Sequence, residues 1–384
     1  MTDTRIAIDI PGHPTALVVG DGLLDRASDA LRRESVEVAG RRVLIACDEA
    51  VRTTHGARLA AHLADAGAEI AMVGLAAREP QKAMPAVERI WSAALAHGLD
   101  RRSLIVAVGG GLVGDLAGFA AATYLRGIDL IQVPTTLLAM VDASIGGKTG
   151  INLTLPGGGL GKNLAGAFWQ PRLTIADPAS LATLPLRELR AGLAECVKHA
   201  VIDGEDALAA LERDAGALAA GEPDALARLI PRSAAVKARI VVADPLERGI
   251  RATLNLGHTY GHAIETLPQF QLLHGEAVAI GLVAAATAAE AMPGFAHAPL
   301  VARLRRLLGD LALPTVLPAV LPTGLPSSQH LPEAVEIRRR MGFDKKNEGG
   351  GLRLVLPRAL GNVEVIAGVP ESAVDAGIRA IGGC

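Results

Sequence analysis

The chain has 384 residues, 50% of them hydrophobic and only 2% aromatic, with a net charge of -2 at pH 7. That length suggests two domains, and the apolar content can fill a large core. The near-neutral charge and scarce aromatics exclude a nucleic-acid-binding surface, which needs a basic face or stacking platforms.

The start, Met1 to Asp9, carries acids where a signal peptide has its apolar stretch, so a cytoplasmic protein is expected. Arg5 to Ile10 and Thr15 to Val19 read as opening strands. Arg42 to Asp48 is a continuous apolar run ending in a carboxylate, as a parallel strand buried on both faces would be. Glu69 to Gly74, Leu104 to Val108, Leu130 to Thr136 and Leu173 to Pro178 repeat that strand signal, with helical patterns between them. One of these is Met84 to His97, which has Pro85 in its first turn. Strands alternating with helices at this spacing imply a doubly wound parallel sheet that binds ligands outside the strands' carboxyl ends.

Beyond Pro178 the chain turns helical: Leu181 to His199, Asp206 to Ala220, Pro223 to Ala243, Gly257 to Leu267 and Gly275 to Ala291 are rich in Ala and Leu. The expected division is therefore an α/β domain over 1–178 and a mainly α-helical domain over 179–384. Ala277 to Ala289 is the longest apolar window, too short to cross a bilayer, and reads as a buried helix. Five prolines between Pro314 and Pro332 mark an irregular segment, followed by a closing hairpin around Ala359 to Asn362. Cys47, Cys196 and Cys384 have no paired spacing, so all three read as free thiols.

Three of the ten histidines, His258, His262 and His274, fall in one short stretch. Neutral imidazole is a common ligand for a borderline metal, and His258 and His262 share a helix face at a spacing of four. A hydrogen-bonded pair is the competing explanation, and a carboxylate or thiolate ligand is still missing. Gly109, Gly111 and Gly114 satisfy G-x-G-x-x-G between a strand and a helix, a turn that lets backbone N–H groups approach a pyrophosphate. That turn follows a later strand than in a standard dinucleotide-binding unit, and a tight turn without ligand is the alternative. Ser144 to Gly150 imitates a nucleotide P-loop but fails, because its first glycine would fall at Asp142. Glu195 and Lys198 lie one helical turn apart, where an ordinary surface ion pair is the alternative to a functional role.

Gly109 to Gly127, Gln132 to Thr149, Gly161 to Asn163, Ala191 to His199 and the histidine stretch occur in one order, and together they resemble the 3-dehydroquinate synthase family of the sugar-phosphate cyclases. The resemblance implies an N-terminal NAD-binding α/β domain and a helical C-terminal domain holding a divalent metal, zinc or cobalt, in a homodimer. It implies Glu195, His258 and His274 as metal ligands, so that His262 becomes a substrate contact. The NAD contacts it implies are Asp48, Glu79, Lys82, Gly111, Gly114, Asp115, Thr135, Thr136, Lys148, Lys162, Ser180 and Thr183. Substrate contacts would be Asp142, Lys148, Asn163, Lys198, Lys237, Glu247, Arg251, Asn255, His262 and Lys346, with Arg126 reaching across the dimer interface. The activity implied converts 3-deoxy-D-arabino-heptulosonate 7-phosphate to 3-dehydroquinate and phosphate. A sister cyclase such as 2-epi-5-epi-valiolone synthase and a metal-dependent polyol dehydrogenase are the alternatives. The link from Asn152 to Lys162 is a few residues longer than is usual in the family.

Overall fold

A computed structural model describes residues 3–156, 158–267, 270–295, 300–318, 332–342 and 352–383. The chain divides into two compact units: Met1–Leu184 with Leu226–Leu246, and Pro185–Ala225 with Glu247–Cys384. The first stretch thus runs past Pro178, and a helical segment distant in sequence joins it.

The first unit is built on strands β1 (Thr4–Ile8), β2 (Thr15–Val19), β3 (Arg42–Asp48), β4 (Glu69–Leu75), β5 (Leu104–Gly109), β6 (Asp129–Pro134) and β9 (Leu173–Ala176). They form one sheet in the order β1-β2-β9-β6-β5-β3-β4, with β1 antiparallel to β2 and the other neighbours parallel. Val43 to Cys47 and Leu104 to Val108 are all buried, which is why these runs are apolar without alternation. Val43, Ile45 and Cys47 join a core with Leu24 and Leu31 at one face, where α1 (Ala27–Arg33) and α2 (Ala57–Asp65) lie. Leu44 and Ala46 point the other way, into a core with Val87, Ile90 and Leu116 from α3 (Met84–Ala96) and α4 (Gly111–Thr123).

Between β6 and β9, β7 (Lys148–Thr154) and β8 (Leu160–Phe168) make a separate antiparallel hairpin that the sequence reading does not contain. It settles the Ser144 to Gly150 cluster, because Gly146 (φ 99°) and Gly147 (φ 66°) turn the chain into a strand, where a P-loop needs a helix.

The second unit holds α5 (Leu186–Asp203), α6 (Glu205–Ala220), α8 (His258–Glu265), α9 (His274–Glu290), α10 (Leu300–Asp310), α11 (Ala334–Gly342) and α12 (Glu371–Ala380), with a hairpin of β10 (Arg353–Ala359) and β11 (Asn362–Ala367). The helix α7 (Pro223–Ala243) falls mostly in the first unit. At the centre of the second unit is α9, packed against α5, α8, α10 and α12. Its apolar window is buried as expected, and among the described residues no helix is long and apolar enough to cross a membrane. Contact between α8 and α9 is made by glycines, since a Cβ on Gly281 would lie 2.1 Å from the carbonyl oxygen of Gly257. Gly257 itself has φ 77°, which a side chain would strain. Cys47 and Cys196 are buried free thiols, and burial pushes the Cys47 thiol up to about 12, far from thiolate reactivity. Cys384 lies outside the described residues.

Candidate active site

In the first unit the sheet order explains the late glycine turn. The strand β3 is flanked by β4 and β5, so the chain reverses direction across the sheet at β3 and β5, and their carboxyl ends bound the crevice where such folds bind ligands. Gly109 (φ 156°) ends β5 there, and a Cβ on it would come within 3.1 Å of the Asp48 Cβ at the end of β3. A Cβ on Gly111 would meet the Ala143 Cβ at 2.9 Å, and one on Gly114 would meet Gln132 Oε1 at 2.8 Å. No side chain caps α4, whose N-cap is Gly110, and while the Val113 and Gly114 N–H groups donate to the Gly110 carbonyl, a helix N-terminus of this kind can favour an anion.

Other predicted cofactor residues lie in the same unit, and Lys82, Asp115 and Glu79 are linked through Asn152 and Asn163. The Lys82 ammonium, nearly fully buried, donates to the Asp115 carboxylate and to Asn163 Oδ1. Burial pushes the Asp115 carboxyl above the usual carboxylate range, outweighing the opposing pull of Lys82. Glu79 Oε1 accepts from Asn152 Nδ2 at 2.7 Å, and Asp48 Oδ1 accepts from the Ala50 N–H at 3.0 Å. Thr135 is buried, and Thr136 Oγ1 accepts from the Ala139 N–H at 3.2 Å. Ser180 Oγ donates to the Asp177 carbonyl at 2.7 Å and Thr183 Oγ1 to the Ser180 carbonyl at 3.1 Å, so both hydroxyls shape their own turn, and Thr183 Oγ1 also pairs with His55 Nε2 at 2.8 Å. Lys148 and Lys162 are exposed on the β7–β8 hairpin. Between Asn152 and Lys162 the Leu155 N–H donates to the Gly159 carbonyl at 3.0 Å. From α7, Lys237 Nζ donates to the Asp142 carbonyl at 2.7 Å and lies 2.9 Å from its carboxylate. Arg126 is exposed in a turn where Leu125 (φ 49°) and Arg126 (φ 67°) both have left-handed backbones.

In the second unit Glu195, His258 and His274 converge. One oxygen, Glu195 Oε1, stands 3.5 Å from His258 Nε2 and 3.5 Å from His274 Nε2. The three can offer donor atoms to one cation. Tetrahedral bonds of roughly 2.0–2.1 Å set their donors about 3.3 Å apart, so the spacing suits zinc-like coordination. The outer nitrogens are also tied. His258 Nδ1 lies 3.1 Å from the Leu256 carbonyl, an acceptor only, so Nδ1 carries the proton and Nε2 keeps its lone pair. His274 Nδ1 lies 3.1 Å from Glu265 Oε2, the carboxylate partner that orients a ligating imidazole.

Without a cation the two rings differ. Burial draws His258 down to about 4 despite Glu195, whereas burial of His274 is outweighed by hydrogen bonds to Glu195 and Glu265 that lift it to about 10. Glu195 and Lys198 form an ion pair at 1% exposure, which removes the surface-pair explanation for that helical turn. Arg251, also in the second unit, is buried at 1% exposure. Asn255 Nδ2 donates to Glu247 Oε1 at 3.3 Å and to the Ala252 carbonyl at 2.9 Å. His262 packs edge-on against His258, ring centroids 5.3 Å apart, and stands outside the Glu195 group, beside Glu265 and His274. Lys346 and the rest of the Asp344 to Lys346 run lie outside the described residues.

Two residues that sequence reasoning leaves unassigned matter here. Glu265 follows His262 by three positions on α8, a spacing that signals a shared face, but its partner His274 is on another helix. Gly275 carries no signal at all, yet a Cβ there would lie 1.9 Å from the Ala191 carbonyl oxygen of α5, one turn before Glu195.

A glycine turn at the carboxyl ends of a parallel sheet and a carboxylate–bis-imidazole group on a helical unit fit the class of NAD- and metal-dependent enzymes. The comparisons narrow it. Models of the 3-dehydroquinate synthase N-terminal and C-terminal regions match residues 72–191 and 192–347, and the chain belongs to the 3-dehydroquinate synthase family. It is 45% identical to the 3-dehydroquinate synthase of Symbiobacterium thermophilum over 95% of this chain and 97% of that one. The corresponding protein of Xanthomonas campestris pv. campestris is 44% identical, over 96% of each chain. Among solved structures, a 2-epi-5-epi-valiolone synthase from Streptomyces hygroscopicus subsp. jinggangensis with NAD+ and Zn2+ bound matches with a TM-score of 0.81 at 28% identity, over 95% of this chain and 96% of that one. A 2-deoxy-scyllo-inosose synthase complexed with carbaglucose-6-phosphate, NAD+ and Co2+ matches with a TM-score of 0.79 at 25% identity, over 100% of each. Dehydrogenases below 20% identity, such as an iron-containing alcohol dehydrogenase from Thermococcus thioreducens at 18% and a TM-score of 0.66, share the fold.

Proposed function

We propose that this protein converts 3-deoxy-D-arabino-heptulosonate 7-phosphate to 3-dehydroquinate and phosphate, a carbon–oxygen lyase reaction dependent on NAD and a divalent cation. The observation that carries the reading is the single Glu195 oxygen equidistant from His258 Nε2 and His274 Nε2, in a chain 40–45% identical to 3-dehydroquinate synthases.

When bound, NAD takes up and returns a hydride, and a zinc or cobalt ion lends Lewis acidity to the hydroxyl being oxidised. The protein's residues do the holding. In the second unit, Glu195, His258 and His274 hold the cation, and Lys198 balances the charge of Glu195. Arg251 offers a planar fork suited to a carboxylate, with Glu247, Asn255 and His262 as further substrate contacts. In the first unit, Asp48, Glu79, Lys82, Gly111, Gly114, Asp115, Thr135, Thr136, Lys162, Ser180 and Thr183 hold NAD. Lys148 serves both ligands, while Asp142, Asn163 and Lys237 hold substrate groups, and the cations keep the departing phosphate in line. Lys346 completes the substrate set. The same reading takes the protein to be a cytoplasmic homodimer with Arg126 crossing the interface, a role that suits its exposure in a strained turn.

Purified protein given NAD and zinc or cobalt should release inorganic phosphate from the heptulosonate without accumulating NADH. Net NADH would instead indicate a dehydrogenase, and turnover of sedoheptulose 7-phosphate alone a sister cyclase. Glu195→Gln should lose tight metal binding while retaining its fold, and full metal retention would remove Glu195 from the ligand set.

A further inference from the structure

Asn152 belongs to none of the groups assigned above, yet it is 2% exposed and spends its side chain on two of them. Its Nδ2 donates to the Glu79 carbonyl at 3.2 Å and to Glu79 Oε1 at 2.7 Å. Its Oδ1 accepts from the Asn163 N–H at 2.8 Å, and its own N–H donates to the Lys82 carbonyl at 2.8 Å. Both amide hydrogens and the amide oxygen are thereby used.

The register of the hairpin shows what this does. Ile151 pairs with Ala165 and Leu153 with Gly161, so Asn152 alone faces the three residues Lys162, Asn163 and Leu164. Those residues bulge out of the ladder, and Asn163 takes a left-handed backbone at φ 53°. Bulges re-aim side chains beside functional sites and survive only where their surroundings hold them. Here the holder is Asn152, which at the same time fastens the Glu79–Lys82 turn. The Lys82 ammonium donates to Asn163 Oδ1, closing the loop between the two segments.

We infer that Asn152 is a positioning residue that locks the bulge presenting Lys162 and Asn163 to the turn presenting Glu79 and Lys82, so that cofactor and substrate contacts are set by one buried amide. This rests on the roles given to those four residues above. Asn152→Asp keeps the shape but turns a donor into an oxygen facing the Glu79 oxygens, and Asn152→Ala removes both clamps.

The experiment measures the NAD Kd by calorimetry and the heptulosonate KM, both well below the unfolding temperature, for both variants and for Lys82→Ala and Asn163→Ala. Each Asn152 variant should raise the NAD Kd and the KM by about tenfold or more, as expected when buried partners lose their hydrogen bonds. Adding Glu79→Gln to Asn152→Asp restores an amide donor and should recover part of the lost affinity, which a merely structural role would not produce. Values within twofold of wild type in folded Asn152→Asp or Asn152→Ala, alongside losses in Lys82→Ala and Asn163→Ala, overturn the inference alone. If Lys82→Ala and Asn163→Ala also bind normally, the site assignment falls with it.

Discussion

Gly275→Ala tests how the proposed metal centre is built. Gly275 follows His274, a proposed metal ligand, at the start of α9, and its absent Cβ is what lets α9 lie against α5, which carries Glu195. A methyl group there would stand 1.9 Å from the Ala191 carbonyl oxygen and 2.5 Å from the carbonyl carbon, both rigid backbone. Ordinary contact begins at 3.4 Å, so the helices must separate locally by up to 1.5 Å. Metal–ligand distances tolerate about 0.2 Å, so even a fraction of that shift draws His274 Nε2 out of range of a cation held by Glu195 and His258. Overpacking of this kind costs about 1–3 kcal/mol of stability, and loss of ligand geometry should weaken metal binding by about a hundredfold, the upper end of what disturbing a ligand's support produces. The assay is titration of metal-free protein with Co2+, followed by calorimetry and by visible absorption, with thermal unfolding of the apo form alongside. Wild-type Co2+ affinity in a well-folded Gly275→Ala protein would falsify the claim that this contact sets the distance between Glu195 and His274.

The same geometry predicts the opposite at Gly216, where an added Cβ meets nothing within 4 Å in the middle of α6. Gly216→Ala should stabilise the protein by up to about 1 kcal/mol, visible as a higher Tm with unchanged metal affinity; a lower Tm would contradict it. Burial holds the His55 imidazole below its ordinary value, so as pH falls through about 6.5 the unfolded chain gains a proton that the folded one refuses. That stability is fully present above about 6.5 and is lost as pH falls through the folded pKa, with a slope of at most about 1.4 kcal/mol per pH unit. Urea unfolding of His55→Gln should show a correspondingly flatter pH dependence than wild type, and identical profiles would count against it. Arg303 of α10 grips Glu205 (2.6 and 2.7 Å) and Glu212 (2.5 and 2.8 Å) of α6. Arg303→Ala should cost about 1 kcal/mol at low salt and less at high salt, while a salt-independent loss would point to packing instead.

What the sequence determined on its own was whatever depends on neighbours along the chain. Apolar runs such as Arg42–Asp48 are strands because both faces must be covered, and the α9 window is a buried helix because only its ends are charged. The glycine turn after β5 was legible for the same reason, since its chemistry is local. The long shared strings brought the family into view, and with it an expected ligand set that spacing alone does not give, since His258 and His262 are the pair that stand four apart. The structure groups His258 with Glu195 and His274, three residues on three helices, and His262 with Glu265 and His274. Sequence spacing encodes one helix face and carries nothing about how helices cross, and that crossing depends on glycines whose role is to have no side chain. The β7–β8 hairpin is not legible in the sequence for a related reason. Its strands are glycine-rich and part exposed, with a bulge that breaks the alternation, so what holds it is the buried amide of Asn152 rather than any periodic pattern. Local order came from the chain. The meeting of Glu195 with two imidazoles, and the crevice at β3 and β5, came only from packing, because those contacts join residues that nothing in the linear order places together.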